Sequence, residues 1–102
     1  MKISEYIDQI GSHPLIQIQS YMCGWRIHID KAILSVQCGG LHYCGDDGNT
    51  AEIAVIWFPD GFPEQWRAVS EDSVRGWQTS DDVSLLIESA LSELGKINED
   101  ES

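Results

Sequence analysis

"LIQIQSYMCGWRIHIDKAILSVQC", residues 15–38, decides the fold. Ile16 and Ile18 alternate with Gln17 and Gln19. In "WRIHID", Trp25, Ile27 and Ile29 point one way, while Arg26, His28 and Asp30 point the other. A period of two marks a strand with one wet face. "MCG" at 22–24 is short enough for a hairpin connection, and "DK" at 30–31 makes a second tight turn into "AILSVQC". Consecutive antiparallel strands follow from these connections.

Downstream, Gly39-Gly40 interrupts a strand that resumes at "LHYC", which predicts a bulge. "GDDGN", residues 45–49, is the strongest turn signal in the chain, because its Gly, Asp and Asn tolerate positive φ. In "AEIAVIWF", Ile53, Val55 and Trp57 face one side, with Ala54, Ile56 and Phe58 on the other. A strand apolar on both faces is expected to be central or covered on both sides. "PDG" at 59–61 ends it. Residues 62–78 mix aromatics with turn formers and admit short strands at 66–70 and 74–77.

Helical spacing flanks this sheet. Ile3, Tyr6, Ile7 and Ile10 recur at i, i+3, i+4 and i+7, with Gly11 as a stop and Pro14 beyond it. Val83, Leu86, Ile87, Ala90, Leu91 and Leu94 line one face of a final helix over 80–94. Thr79 with Asp82 makes a capping-box pattern at its start, and Gly95 suits the C′ position at its end. The fold class is therefore α+β. An antiparallel four- to five-stranded meander sheet carries a short N-terminal helix and a C-terminal amphipathic helix packed on the face of Trp25, Ile27 and Ile29. Residues 1–95 form one domain, and 96–102 an acidic tail expected to fray.

Charge limits the function classes. The chain carries 17 acids against six Lys and Arg, a net charge of −11. Residues 1–51 hold five acids and three bases, and residues 52–102 hold twelve and three. Such a chain repels nucleic acid and anionic membrane, and is drawn to basic surfaces in a salt-dependent way. Solubility alone is the plain alternative reason for the charge. No apolar run reaches membrane-span length, and the acids in "MKISEYIDQIG" do not fit a secretory signal. Cys23, Cys38 and Cys44 are odd in number and lack a tight pair, which suits a reducing cytoplasm.

Cys38, His42 and Cys44 are zinc ligands by type, but they lack the tight Cys-x₂₋₄-Cys pairs of structural zinc sites. Small buried cysteines and an ordinary strand histidine account for them equally. "DDGN" fails the calcium-loop spacing, and neither a nucleophile elbow nor a phosphate-binding glycine loop is present. No cofactor and no catalytic residue are expected. Protein binding remains, with Glu71, Asp72, Asp81, Asp82, Trp66, Trp77, Asp46 and Asp47 as candidate contacts. Aromatics ringed by charge resemble interface hot spots. Core packing of the tryptophans and helix-dipole capping by Asp81 and Asp82 are the structural alternatives.

"SVQC" at 35–38 followed by "HYC" at 42–44 resembles a set of small phage and prophage accessory proteins, with "VRGW" at 74–77 and the final helix in matching order. Gly45-Asp46 stands where that pattern carries Pro-Arg. The resemblance implies a phage accessory protein and no defined site. The expected function is a non-enzymatic inhibitor, similar in size and charge to anti-CRISPR proteins. It would work in the host cytoplasm as a nucleic-acid mimic on a basic host-protein surface. A zinc module, or a structural or chaperone-like homodimer paired through the edge strand "LIQIQSY", are the alternatives.

Overall fold

The computed structural model describes residues 1–21, 23–38 and 48–101, with side chains described up to Gly95. The "HYC" segment, Gly39-Gly40 and most of the "GDDGN" turn lie outside the described residues. So do His42, Cys44, Asp46 and Asp47.

The order of elements is α1 (Ile3–Ile10), β1 (Ile16–Tyr21), β2 (Gly24–Ile29), β3 (Ala32–Gln37), β4 (Thr50–Trp57), α2 (Glu64–Glu71), β5 (Arg75–Thr79) and α3 (Ser80–Glu101). The strands form one five-stranded antiparallel sheet in the order β1-β2-β3-β4-β5, the meander expected from the alternating pattern. Tyr21 pairs with Gly24, and Ile29 with Ala32, so both early connections are tight hairpins. Asp30 takes a φ of 54° in the second of them, a conformation Asp tolerates better than most residues.

One sheet face carries Ile16, Ile27, Ile29, Leu34, Val36 and Ile53. These are buried in a single cluster with Ile3 and Ile7 of α1, Trp66 and Val69 of α2, and Val83, Leu86, Ile87 and Ala90 of α3. All three helices therefore cover the same face, as the α+β layering requires. The final helix begins as expected. Thr79 N–H donates to Asp82 Oδ2 at 2.9 Å, and Asp82 N–H donates back to Thr79 Oγ1 at 3.3 Å.

Two expectations are corrected, and a third is met in only one of its forms. Residues 66–70 belong to helix α2, not to a strand. Trp66 and Val69, three residues apart, form the buried face of α2, and Phe62, just before its N-cap Pro63, packs on Trp66. The turn formers around them conceal that spacing in the sequence. β4 is central, as expected, paired by β3 and β5, but it is not covered on both faces. Leu34 pairs with Val55 but Ile33 with Trp57, so Ile56 is an extra, bulged residue. Ile56 and Trp57 are each 48% exposed, on the sheet face that no helix covers. Finally, Gly95 does not end α3, which runs on to Glu101. Glycine is permitted within a helix at a cost of about 1 kcal/mol relative to alanine.

Candidate functional site

The acidic and aromatic residues singled out in the C-terminal half meet where α2, β5 and α3 join. Glu71 is the last residue of α2, and Asp72 is its C-cap. Ser73 turns the chain with a φ of 63°, and Val74 N–H closes the turn on the Asp72 carbonyl at 2.6 Å. β5 then runs directly into the first turn of α3, which carries Asp81 and Asp82.

The carboxylates differ in what they already do. Asp72 Oδ2 accepts from Arg75 Nε at 2.8 Å and from Arg75 Nη2 at 2.5 Å, an exposed pair. Such pairs are worth little in stability, but this one neutralises Asp72 locally. Asp82 is engaged in the cap of α3. Glu71 and Asp81 are exposed and stand outside both of these arrangements. The outward charge of this junction therefore rests chiefly on Glu71 and Asp81.

The tryptophans separate sharply. Trp66 is fully buried, and its indole Nε1 donates to the Leu86 carbonyl at 2.9 Å. Its ring also stands edge-on to Phe62 at 5.3 Å between centroids. It is a core residue, and its assignment to a partner surface is corrected. Trp77 is 60% exposed and adopts a φ of 57°. Ala51 pairs with Gln78 and Ile53 with Arg75, so Gly76 and Trp77 together stand opposite Glu52 as a bulge in the edge strand. A bulky side chain in the left-handed region is a costly conformation that the rest of the fold has to sustain.

Two further apolar residues of this stretch are exposed. Leu85 is 65% exposed, and Val74 is also exposed. Leu85 lies off the Val83–Leu86–Ile87–Ala90 stripe that packs on the sheet, so the sequence did mark it as outward-facing. Between α2, β5 and α3 lies a cavity of about 180 Å³. Ile53, Val69 and Leu86 line it from the core, with Arg75, Asp82 and Leu85 among its remaining walls.

Elsewhere, polar side chains are engaged in structure. Cys38 Sγ donates to the Thr50 carbonyl at 3.1 Å, and Cys38 N–H to the Cys23 carbonyl at 2.6 Å. These contacts tie the end of β3 to β4 and to the preceding hairpin. His13 Nδ1 accepts from Leu15 N–H at 3.1 Å, and His28 Nε2 lies 3.3 Å from Gln19 Oε1. Among the described residues, no group of three His, Cys, Asp or Glu side chains is placed to hold a metal. No helix among them is long and apolar enough to cross a membrane. Burial raises the Tyr6 phenol above its ordinary pKa; a hydrogen bond with Ser84 opposes the rise, and the Glu88 charge adds to it.

No protein-family model, no curated protein and no solved structure matches this chain.

Proposed function

We propose that this chain is a small acidic, non-enzymatic binding protein that occupies a basic surface on a host protein. The observation that supports it most is the surface at the α2–β5–α3 junction. Within residues 71–85 the exposed apolar side chains of Val74, Trp77 and Leu85 alternate along the chain with the exposed carboxylates of Glu71, Asp72 and Asp81. An exposed aromatic flanked by charge is the composition of an interface anchor with a polar rim. The excess of acid supplies long-range attraction to a cationic partner, and the apolar residues supply short-range desolvation. In this reading the carboxylates take the place of nucleic-acid phosphates on the partner. The protein is then phage-encoded, acts in the bacterial cytoplasm, and blocks a nucleic-acid-handling defence complex.

The test uses the intact chain as bait in host lysate, at low and high salt, alongside Glu71→Lys/Asp81→Lys and Trp77→Ala variants. These positions are chosen because Asp72 and Asp82 have structural bonds whose loss would confuse the result. A basic protein retained at low salt by the parent, and released by either variant, supports the reading. Retention that ignores both the charge reversal and the salt removes it.

A further inference from the structure

The two edges of the sheet are built differently. β5 is interrupted by the Gly76–Trp77 bulge, which twists it away from regular pairing. β1 has no bulge in its register with β2, no proline and no charged residue along Ile16–Tyr21. Those are the devices by which exposed edges are usually protected. The hydrogen-bond phase of β1 follows from Asp30 N–H, which donates to the Leu15 carbonyl at 3.1 Å. Alternation then turns the backbone of Leu15, Gln17, Gln19 and Tyr21 toward β2, and that of Ile16, Ile18 and Ser20 outward. The Ile16 N–H is taken by the His13 carbonyl. The Ile16 carbonyl and both backbone groups of Ile18 and Ser20 face away from the sheet.

We propose that β1 pairs with β1 of a second copy of this chain, antiparallel about a two-fold axis at Ile18, joining the two sheets into one. β1 is complementary to itself in this register. Ile18 meets Ile18, Ile16 meets Ser20, Gln17 meets Gln19, and Leu15 meets Tyr21. The pairs 17–19 and 15–21 are the non-hydrogen-bonded ones, in which side chains approach most closely. Leu15 and Tyr21 are 37% and 52% exposed in the single chain, and the two-fold brings each onto the other. On that same face, Pro14, Leu15, Gln17, His28 and Asp30 line a depression of about 210 Å³. Within each chain the Tyr21 phenol donates to Gln19 Oε1 at 3.1 Å and Arg26 lies over its ring, so the ring is held on the face that the two-fold sets beside the second copy's Leu15 and this depression. Gln17 and Gln19 meet across the seam as hydrogen-bonding amides. Ile18, half-covered in the single chain, becomes enclosed.

The contact is short, so the dimer is weak and concentration-dependent. Each chain carries −11, so added salt strengthens it by screening. A basic partner at the α2–β5–α3 junction shows the opposite salt response, so the two readings fail independently.

Sedimentation velocity from micromolar to millimolar protein, at low and high salt, tests the pairing. The parent should pass from monomer to dimer, at lower concentration in high salt. Gln17→Lys/Gln19→Lys places like charges opposite one another at both cross-strand pairs, whereas Gln17→Lys/Gln19→Glu places opposite charges there. The second variant should dimerise at least about tenfold more tightly than the first. The first variant also lowers the net charge from −11 to −9, so general repulsion alone predicts the reverse order. Both positions are exposed, and far-UV circular dichroism with thermal melting verifies that each variant folds. A parent that stays monomeric throughout, or two variants that associate alike, overturns the proposal.

Discussion

The Trp66 indole on α2 donates to the Leu86 carbonyl on α3 at 2.9 Å, inside a shell that excludes solvent from the ring. This bond joins the short helix to the long one and gives the buried N–H its partner. Trp66→Ala should cost about 3–5 kcal/mol, through lost burial and the cavity left behind. Trp66→Phe keeps most of the apolar contact and loses the hydrogen bond, so its cost should be the smaller of the two. Urea unfolding followed by far-UV circular dichroism measures both. Equal costs would show that the bond, not the packing, dominates.

Trp77 holds a φ of 57° while mostly exposed, so its side chain contributes little to the core that sustains the strain. Left-handed backbone at such a residue costs about 1–3 kcal/mol. Glycine removes that cost and adds about 0.5–1 kcal/mol of unfolded-state entropy. Trp77→Gly should leave the melting temperature unchanged or higher, while weakening retention of a basic partner. A Trp77→Gly variant that unfolds would make Trp77 a structural residue.

At Gly24, β2 crosses very close to β3. A Cβ there would lie against the Val36 carbonyl oxygen and 2.6 Å from Gln37 Cα. Both neighbours are backbone and cannot rotate aside. Gly24→Ala should therefore destabilise the protein by about 3 kcal/mol or more, above the usual range for single substitutions. Chemical denaturation measures it directly.

The Tyr6 phenol provides a pH dependence. Its pKa in the folded chain is raised above 10.0, first by burial and secondarily by Glu88. The unfolded chain therefore loses this proton more readily than the folded chain does. The associated stability is complete below pH 10 and is lost as pH rises through the folded-state pKa. Tyr6→Phe should flatten that alkaline fall, while losing the Ser84 hydrogen bond at lower pH. Urea midpoints from neutral to alkaline pH, measured on both proteins, check the difference.

Much of this fold was legible because its signals are local. The alternation in residues 15–38 gave β1, β2 and β3, and the two tight connections gave their antiparallel order. The i, i+3, i+4 stripe of α3 and its Thr79–Asp82 cap were equally plain. α2 was misread because its apolar face is only Trp66 and Val69, set among residues that usually form turns. The exposure of Trp77 and the burial of Trp66 were undecided in the sequence, since both indoles stood among the same acids.

The sequence by itself determined the α+β class, the strand phase of the first hairpins, the capped final helix and the acidic excess. All are properties of residue type and short-range spacing. Only the tertiary structure decided which tryptophan enters the core, that Ile56 and Trp57 remain open, and that a bulged β5 forms the edge opposite β1. It also decided that Asp72 and Asp82 are held by Arg75 and Thr79 while Glu71 and Asp81 face outward. Such outcomes depend on which surfaces meet after the chain has folded back on itself. The helices cover one side of the sheet, and what remains uncovered is set by their packing rather than by any pattern within a single segment.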